Sequence, residues 1–181
     1  SLAELRCATG GFEAVLLTLF HSRVTGQQAG GLQGRTVAVL DLEQRTGDAV
    51  TDRAGLAGHV TVEDRVVIGG IAGVHQFVKV GRNSMIGGLA KVVQDIPPYV
   101  IADGQPARVI GLNSVGLSRA GMSDEVRREL KKAFRILYRS GLNLGQAISE
   151  MEQELDSYEE VEHLLRFLRN AERGIMRGTK D

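Results

Sequence analysis

The sequence predicts a β-solenoid built from hexapeptide repeats, followed by an α-helical C-terminal domain. Three observations predict it. Aliphatic residues recur every six positions from Leu56 to Val92. Glycine accounts for 23 of 181 residues while Trp is absent and aromatics make up only 4%. From Ser123 onward, apolar residues fall instead at helical spacing.

The repeat organises the middle of the chain. Steps of six give Leu56, Val62, Ile68, Val74, Val80, Ile86 and Val92. The fourth residue after each is Val60, Val66, Ala72, Val78, Ser84, Ala90 and Ile96, all small or aliphatic. This period is neither the strand's 2 nor the helix's 3.6. It is that of a parallel β-helix in which each hexad makes one short strand and a turn. Three hexads close one triangular coil, with the aliphatics stacked inside. Val50 and Ala54 add one hexad upstream, and the register fails at Gln44. The coils are therefore assigned to 50–98, and 1–49 to an atypical N-terminal segment without repeats. Glycines 69, 70, 81, 87 and 88 are assigned to corners, where positive φ is expected. A sandwich of short strands is the rival, but it would need hairpin signals that are missing. So few coils require neighbours, caps or sister subunits.

Pro97-Pro98 ends the regular register, because proline cannot donate to a ladder. Residues 99–122 read as an irregular linker with Gly104 and Pro106 as turn formers. Ser123 is an N-cap, with Asp124 and Glu125 in the first turn. Val126, Leu130, Ala133, Phe134 and Leu137 make the apolar face of a helix that Gly141 stops. Two more amphipathic helices are expected near 143–156 and 158–173. Their apolar positions are Ala147, Ile148, Met151 and Leu155, then Val161, Leu164, Leu165 and Leu168. The helical domain thus covers 123–178. The cluster Arg127, Arg128, Lys131, Lys132 and Arg135 reads as a solvated face with helical pairing to Glu125 and Glu129.

Several function classes are excluded. With 22 basic and 22 acidic residues there is no basic excess for nucleic acid. The mostly apolar stretch Phe12–Phe20 is too short to span a bilayer. It follows Glu4 and Arg6 rather than a clean positive region, which argues against a signal peptide. The lone Cys7 allows no internal disulfide and fits a reducing, cytoplasmic compartment. No phosphate-cradling P-loop and no Ser/His/Asp pattern is present. His59 and His75 lie nearly one coil apart, but a zinc site would need a third histidine. His163 belongs to the tail and His21 lies outside the repeats, so no metal is expected. On residues alone, each repeat histidine also reads as a corner side chain satisfied by a carbonyl.

Specific segments add a family resemblance. Leu56-Ala57-Gly58-His59-Val60, Ile68-Gly69-Gly70 and Val74-His75-Gln76-Phe77 resemble the acyl-carrier-protein-dependent UDP-N-acetylglucosamine O-acyltransferases of lipid A synthesis. So do Pro97-Pro98-Tyr99-Val100-Ile101-Ala102-Asp103-Gly104, Gly111-Leu112-Asn113, Gly116-Leu117-Ser118-Arg119 and Tyr138-Arg139-Ser140-Gly141. The resemblance covers about residues 54–178 and implies a left-handed parallel β-helix and a homotrimer with sites in clefts between chains. It implies transfer of an (R)-3-hydroxyacyl group from acyl carrier protein to the sugar's 3-hydroxyl, without a cofactor. By position, His59 would face the sugar and support the catalytic base, and His75 and Gln76 would line the same cleft. Gly88 would lie where acyl-chain length is measured, and Asn113 and Arg119 would reach the uridine and diphosphate. Ala120 stands where the family commonly has a second basic residue.

The departure lies upstream. The family's catalytic histidine falls near Leu40, with another near Val37, and neither position holds histidine. A truncated chain with a foreign or frame-shifted start is expected, with His21 as a candidate replacement base. Two alternatives stand beside this reading. One is a hexapeptide-repeat transferase using a different sugar nucleotide or acyl donor. The other is a non-catalytic fragment that trimerises or binds ligand.

Overall fold

The computed structural model describes residues 49–50, 54–171 and 173–179. Eight strands of two residues each lead the fold: β1 (Ala49–Val50), β2 (Gly55–Leu56), β3 (Thr61–Val62), β4 (Val67–Ile68), β5 (Gly73–Val74), β6 (Lys79–Val80), β7 (Met85–Ile86) and β8 (Lys91–Val92). They form parallel stacks in the orders β1-β4-β7, β2-β5-β8 and β3-β6. Each residue pairs with the one a full coil of three hexads later, as in Leu56↔Val74 and Ile68↔Ile86. Both period-six columns point inward. Val62, Ile68, Val74, Val80, Ile86 and Val92 are buried, as are Val60, Val66, Ala72, Val78, Ser84, Ala90 and Ile96. Leu56, in the first rung of the β2-β5-β8 stack, is half-buried.

The corners are made differently from the expectation. Positive φ falls on His59, Arg65, Ile71, Phe77, Asn83, Leu89 and Tyr99, and on none of the repeat glycines. From His59 to Leu89 the hexad itself forces the left-handed turn three residues after the inward aliphatic; Tyr99 follows the Pro97-Pro98 break instead. Glycine is required for another reason, close approach of stacked coils. A Cβ on Gly69 would strike the backbone of Gly88, and one on Gly81 would run into Pro98. One on Gly87 would meet the Asp103 carboxylate.

The stretch expected to be irregular, 99–122, is largely ordered. β9 (Val100–Gly104) extends the first stack by pairing in parallel with β7. β10 (Ala107–Leu112) returns antiparallel to β9, with an irregularity between Val109 and Gly111. A short helix, α1 (Ser114–Arg119), follows. It was missed because six residues are too few to show a helical stripe.

The remaining helices are α2 (Asp124–Arg139), α3 (Leu144–Glu154) and α4 (Glu159–Arg169). The Ser123 hydroxyl caps α2 by accepting the Val126 N–H. Asn143 and Gln146 close a capping box on α3. Val126, Leu130, Ala133, Ala147, Met151, Val161, Leu164, Leu165 and Leu168 share one core with Tyr99 and Leu117. The last helix is shorter than the expected 158–173. Beyond Arg169 the chain turns back to the solenoid, where Asp95 bridges Ile175 and Val109 bridges Gly178. Met176 is buried among the repeat aliphatics. This C-terminal strap joins the two cores, and no sequence period marks it.

Candidate functional site

Because the coils repeat in register, side chains one coil apart stack at the same vertex. At the vertex that follows β2 and β5, residues 75–78 lie over 57–60, and the Phe77 N–H donates to the Gly58 carbonyl at 3.1 Å. His59 and Phe77 occupy the left-handed position there. Their rings stack with centroids 5.1 Å apart and planes 1° from parallel. His59, His75, Gln76 and Phe77 are all exposed, so their polar atoms face solvent at one place.

His75 has a carbonyl partner on one ring nitrogen. Its Nδ1 lies 3.2 Å from the Gln76 carbonyl, which only accepts, so any hydrogen bond between them is donated by Nδ1. The other ring nitrogen, Nε2, is left facing outward, where it can meet a ligand hydroxyl. From the strap, Arg173 Nη1 donates to the same carbonyl at 3.2 Å. The sequence reading did not single out Arg173, since nothing in its neighbourhood ties it to a repeat.

The other candidates lie elsewhere on one chain. Gly88 belongs to the vertex after β4 and β7, beside the exposed Ile71 and Leu89. Asn113 and Arg119 sit over the third vertex, after β3 and β6. Asn113 is buried there; its Nδ2 donates to the Asn83 carbonyl at 2.9 Å and its Oδ1 accepts the Gly116 N–H at 3.1 Å. It therefore builds the start of α1 before it can do anything else. Arg119, in the last turn of that helix, is exposed. The structure thus brings together His59, His75 and Gln76, and distributes the remaining candidates over the two other vertices. Val37, Leu40 and His21 lie outside the described residues.

His163, read as an uninvolved tail residue, is buried against that third vertex. Its Nε2 donates to Glu63 Oε2 at 2.7 Å, and the Arg82 backbone N–H donates to the same oxygen at 2.8 Å. Burial works against ionisation of Glu63. The hydrogen bonds from His163 and the Arg82 backbone outweigh it and hold the carboxyl below its ordinary range. Tyr99 lies edge-on to the His163 ring at 6.2 Å, and its buried hydroxyl is pushed up in pKa by desolvation. The apolar stripe of α4 concealed this contact, because His163 projects from the opposite side of the helix, toward the repeats.

Two grooves on the helical part, one lined by Asn143, Gln146 and Glu150 and one by Arg135 and Ser140, include none of the vertex residues. Among the described residues no group of three or more His, Cys, Asp or Glu could hold a metal ion. No helix among them is long and apolar enough to cross a membrane.

Known proteins resemble this chain. Residues 95–176 match the family described as UDP-N-acetylglucosamine O-acyltransferase, domain 2. An acyl-[acyl-carrier-protein]–UDP-N-acetylglucosamine O-acyltransferase of Anaeromyxobacter dehalogenans is 39% identical over 137 residues, covering 76% of this chain and 53% of the relative. The protein of that name in Thiobacillus denitrificans is 49% identical over 126 residues, covering 70% and 49%. LpxA from Acinetobacter baumannii superposes with a TM-score of 0.70 at 39% identity, covering 72% of this chain and 51% of that one. The chain spans about half the length of the curated relatives it matches.

Proposed function

Residues 95–176 belong to the second domain of the UDP-N-acetylglucosamine O-acyltransferase family, and from that premise we propose that the chain is the C-terminal portion of such an enzyme. Its reaction is transfer of an (R)-3-hydroxyacyl group from acyl carrier protein to the sugar 3-hydroxyl of UDP-N-acetylglucosamine, the first step of lipid A synthesis. The hydroxyl loses its proton to a base, its oxygen attacks the thioester carbonyl, and the carrier thiol leaves. The observation that carries this reading is the vertex where His59, His75 and Gln76 meet on adjacent coils. The exposed Nε2 of His75, with Nδ1 turned to the Gln76 carbonyl, suits a contact with a sugar hydroxyl.

The coil is left-handed on this reading, and the protein is a cytoplasmic homotrimer. The scatter of candidates over three vertices supports a threefold assembly. Gly88 and the Arg119 guanidinium can join His59 and His75 only across a boundary between neighbouring chains. A cleft formed that way holds both substrates and makes the reaction effectively unimolecular.

A second reading is favoured by one specific observation. Leu40 stands where the family places its catalytic histidine, so this polypeptide binds substrates without turning them over. The test pairs two measurements on the purified chain. Light scattering is expected to give a trimer, and calorimetry is expected to show binding of UDP-N-acetylglucosamine. Acyl carrier protein thioesters are expected to give no turnover until upstream coils carrying a histidine are supplied. A monomer that binds no nucleotide sugar overturns the proposal. Turnover with acetyl-coenzyme A in place of the carrier thioester would move it to a different donor class.

A further inference from the structure

We infer that Arg173, from the C-terminal strap, is a substrate-binding residue of the histidine vertex, supplying its cation to a phosphate group of the ligand. The inference rests on the proposed reading of that vertex as a substrate site. It extends the site to a part of the chain where the repeat pattern is absent.

Four observations carry it. Arg173 Nη1 and His75 Nδ1 each lie 3.2 Å from one and the same oxygen, the Gln76 carbonyl. The guanidinium is therefore fixed beside the imidazole, while the exposed side chain keeps its other N–H donors available to a ligand. Second, the loops of this vertex, 57–60, 75–78 and 93–96, contain no Lys or Arg. A phosphorylated ligand bound against His59 and His75 finds no positive charge in them. Third, the strap is held by main-chain bonds on both sides of a fixed rung. The Asp95 N–H donates to the Gly174 carbonyl at 3.2 Å, and the Met176 N–H donates to the Asp95 carbonyl at 2.7 Å. Further along, the Val109 N–H donates to the Arg177 carbonyl and the Thr179 N–H to the Val109 carbonyl, each at 3.0 Å. Fourth, Gly174 turns the strap at φ +68, a conformation glycine adopts freely, and this lets the chain enter the rung immediately after Arg173. The nearby Asp95 is fully buried, and its Oδ1 accepts the Lys79 backbone N–H at 2.9 Å. Burial pushes its pKa up, which weakens it as a counter-charge to the guanidinium.

A surface guanidinium held by one carbonyl could simply pin the strap. Pinning, however, is already achieved by four backbone bonds and by the buried Met176. The planar fork of arginine matches two phosphate oxygens at once. Two ligands of the proposed reaction carry phosphate: the nucleoside diphosphate of the acceptor and the phosphodiester of the carrier's pantetheine arm.

The experiment titrates the full chain with UDP-N-acetylglucosamine, with UDP and with 4′-phosphopantetheine, following the heat of binding by calorimetry. Arg173→Gln is expected to weaken one phosphate class about ten- to a hundredfold. Arg173→Lys is expected to recover part of that loss, and melting temperature is expected to stay unchanged in both. Weakening confined to the two nucleotides assigns the cation to the acceptor; weakening confined to phosphopantetheine assigns it to the donor. If Arg173→Gln binds all three as the unaltered chain does while His75→Ala does not, Arg173 has no such role and the vertex remains a site. If the unaltered chain binds none of them, the reading of the vertex falls and this inference with it. A matching loss in Arg173→Lys together with a lower melting temperature shows a purely structural tie and also overturns it.

Discussion

Left-handed backbone is produced in two ways in this molecule. In the solenoid it falls on His59, Arg65, Ile71, Phe77, Asn83 and Leu89, one per hexad, and never on a repeat glycine, and it recurs once at Tyr99, just past Pro97-Pro98. Among the described residues after Tyr99 it falls only on glycines: Gly104 in the hairpin turn, then Gly121, Gly141 and Gly174. A helix end is a local event, so the residue itself must tolerate the turn. A coil corner is imposed by the ladders above and below it, and these offset roughly 1–2 kcal/mol of strain per residue. That frees the repeat glycines for a different task, letting one coil lie directly on the next.

The contrast can be broken most forcefully at Gly81. A Cβ there meets the main-chain nitrogen and ring of Pro98, which cannot swing aside. Gly81→Ala is expected to destabilise by about 3 kcal/mol or more, read as a lowered denaturation midpoint. Gly141→Ala should cost only about 1 kcal/mol, because there the added methyl enters open space and only the φ of +77 is at fault. Equal losses at the two sites would remove the distinction.

The join between the two regions is sharpened by acid. Glu63 has its folded pKa depressed by its hydrogen bonds, so its contribution is complete above the unfolded value near 4.5 and is lost as pH falls through the lower folded value. Glu63→Gln is expected to cost about 1 kcal/mol at neutral pH and to flatten the stability profile below pH 4.5. An unchanged acid limb in pH-dependent denaturation would show that the pair with His163 does not couple the regions. The smallest effect is expected at Ile71, a β-branched residue held at φ +61 and 58% exposed. Ile71→Asn should stabilise by about 0.5 kcal/mol, since asparagine enters the left-handed region more readily. A loss there would mean the isoleucine makes a contact between chains.

The inward columns were legible in the sequence because burial acts on every hexad alike. Val62 through Val92 can be counted in the sequence itself, and the cap at Ser123 carries its own chemistry. The corner conformation was not legible. No residue preference distinguishes Arg65 from Phe77 at a position that the ladder dictates. The hairpin of β9 and β10 was hidden by Pro97-Pro98, which ends the hexads but not the stack. Within the site, spacing put His59 and His75 nearly one coil apart, and the family resemblance put Gln76 in the same cleft. Neither placed Arg173 or His163, because each reaches its partner from the far end of the chain.

The strap also sets an order of events. Successive coils dock on neighbours close in sequence, so their loop-closure cost is small and they can form early. Asp95 meets Ile175 only after everything between them has been brought round. Closure of the strap over that rung is accordingly expected late in folding, and the burial of Met176 with it.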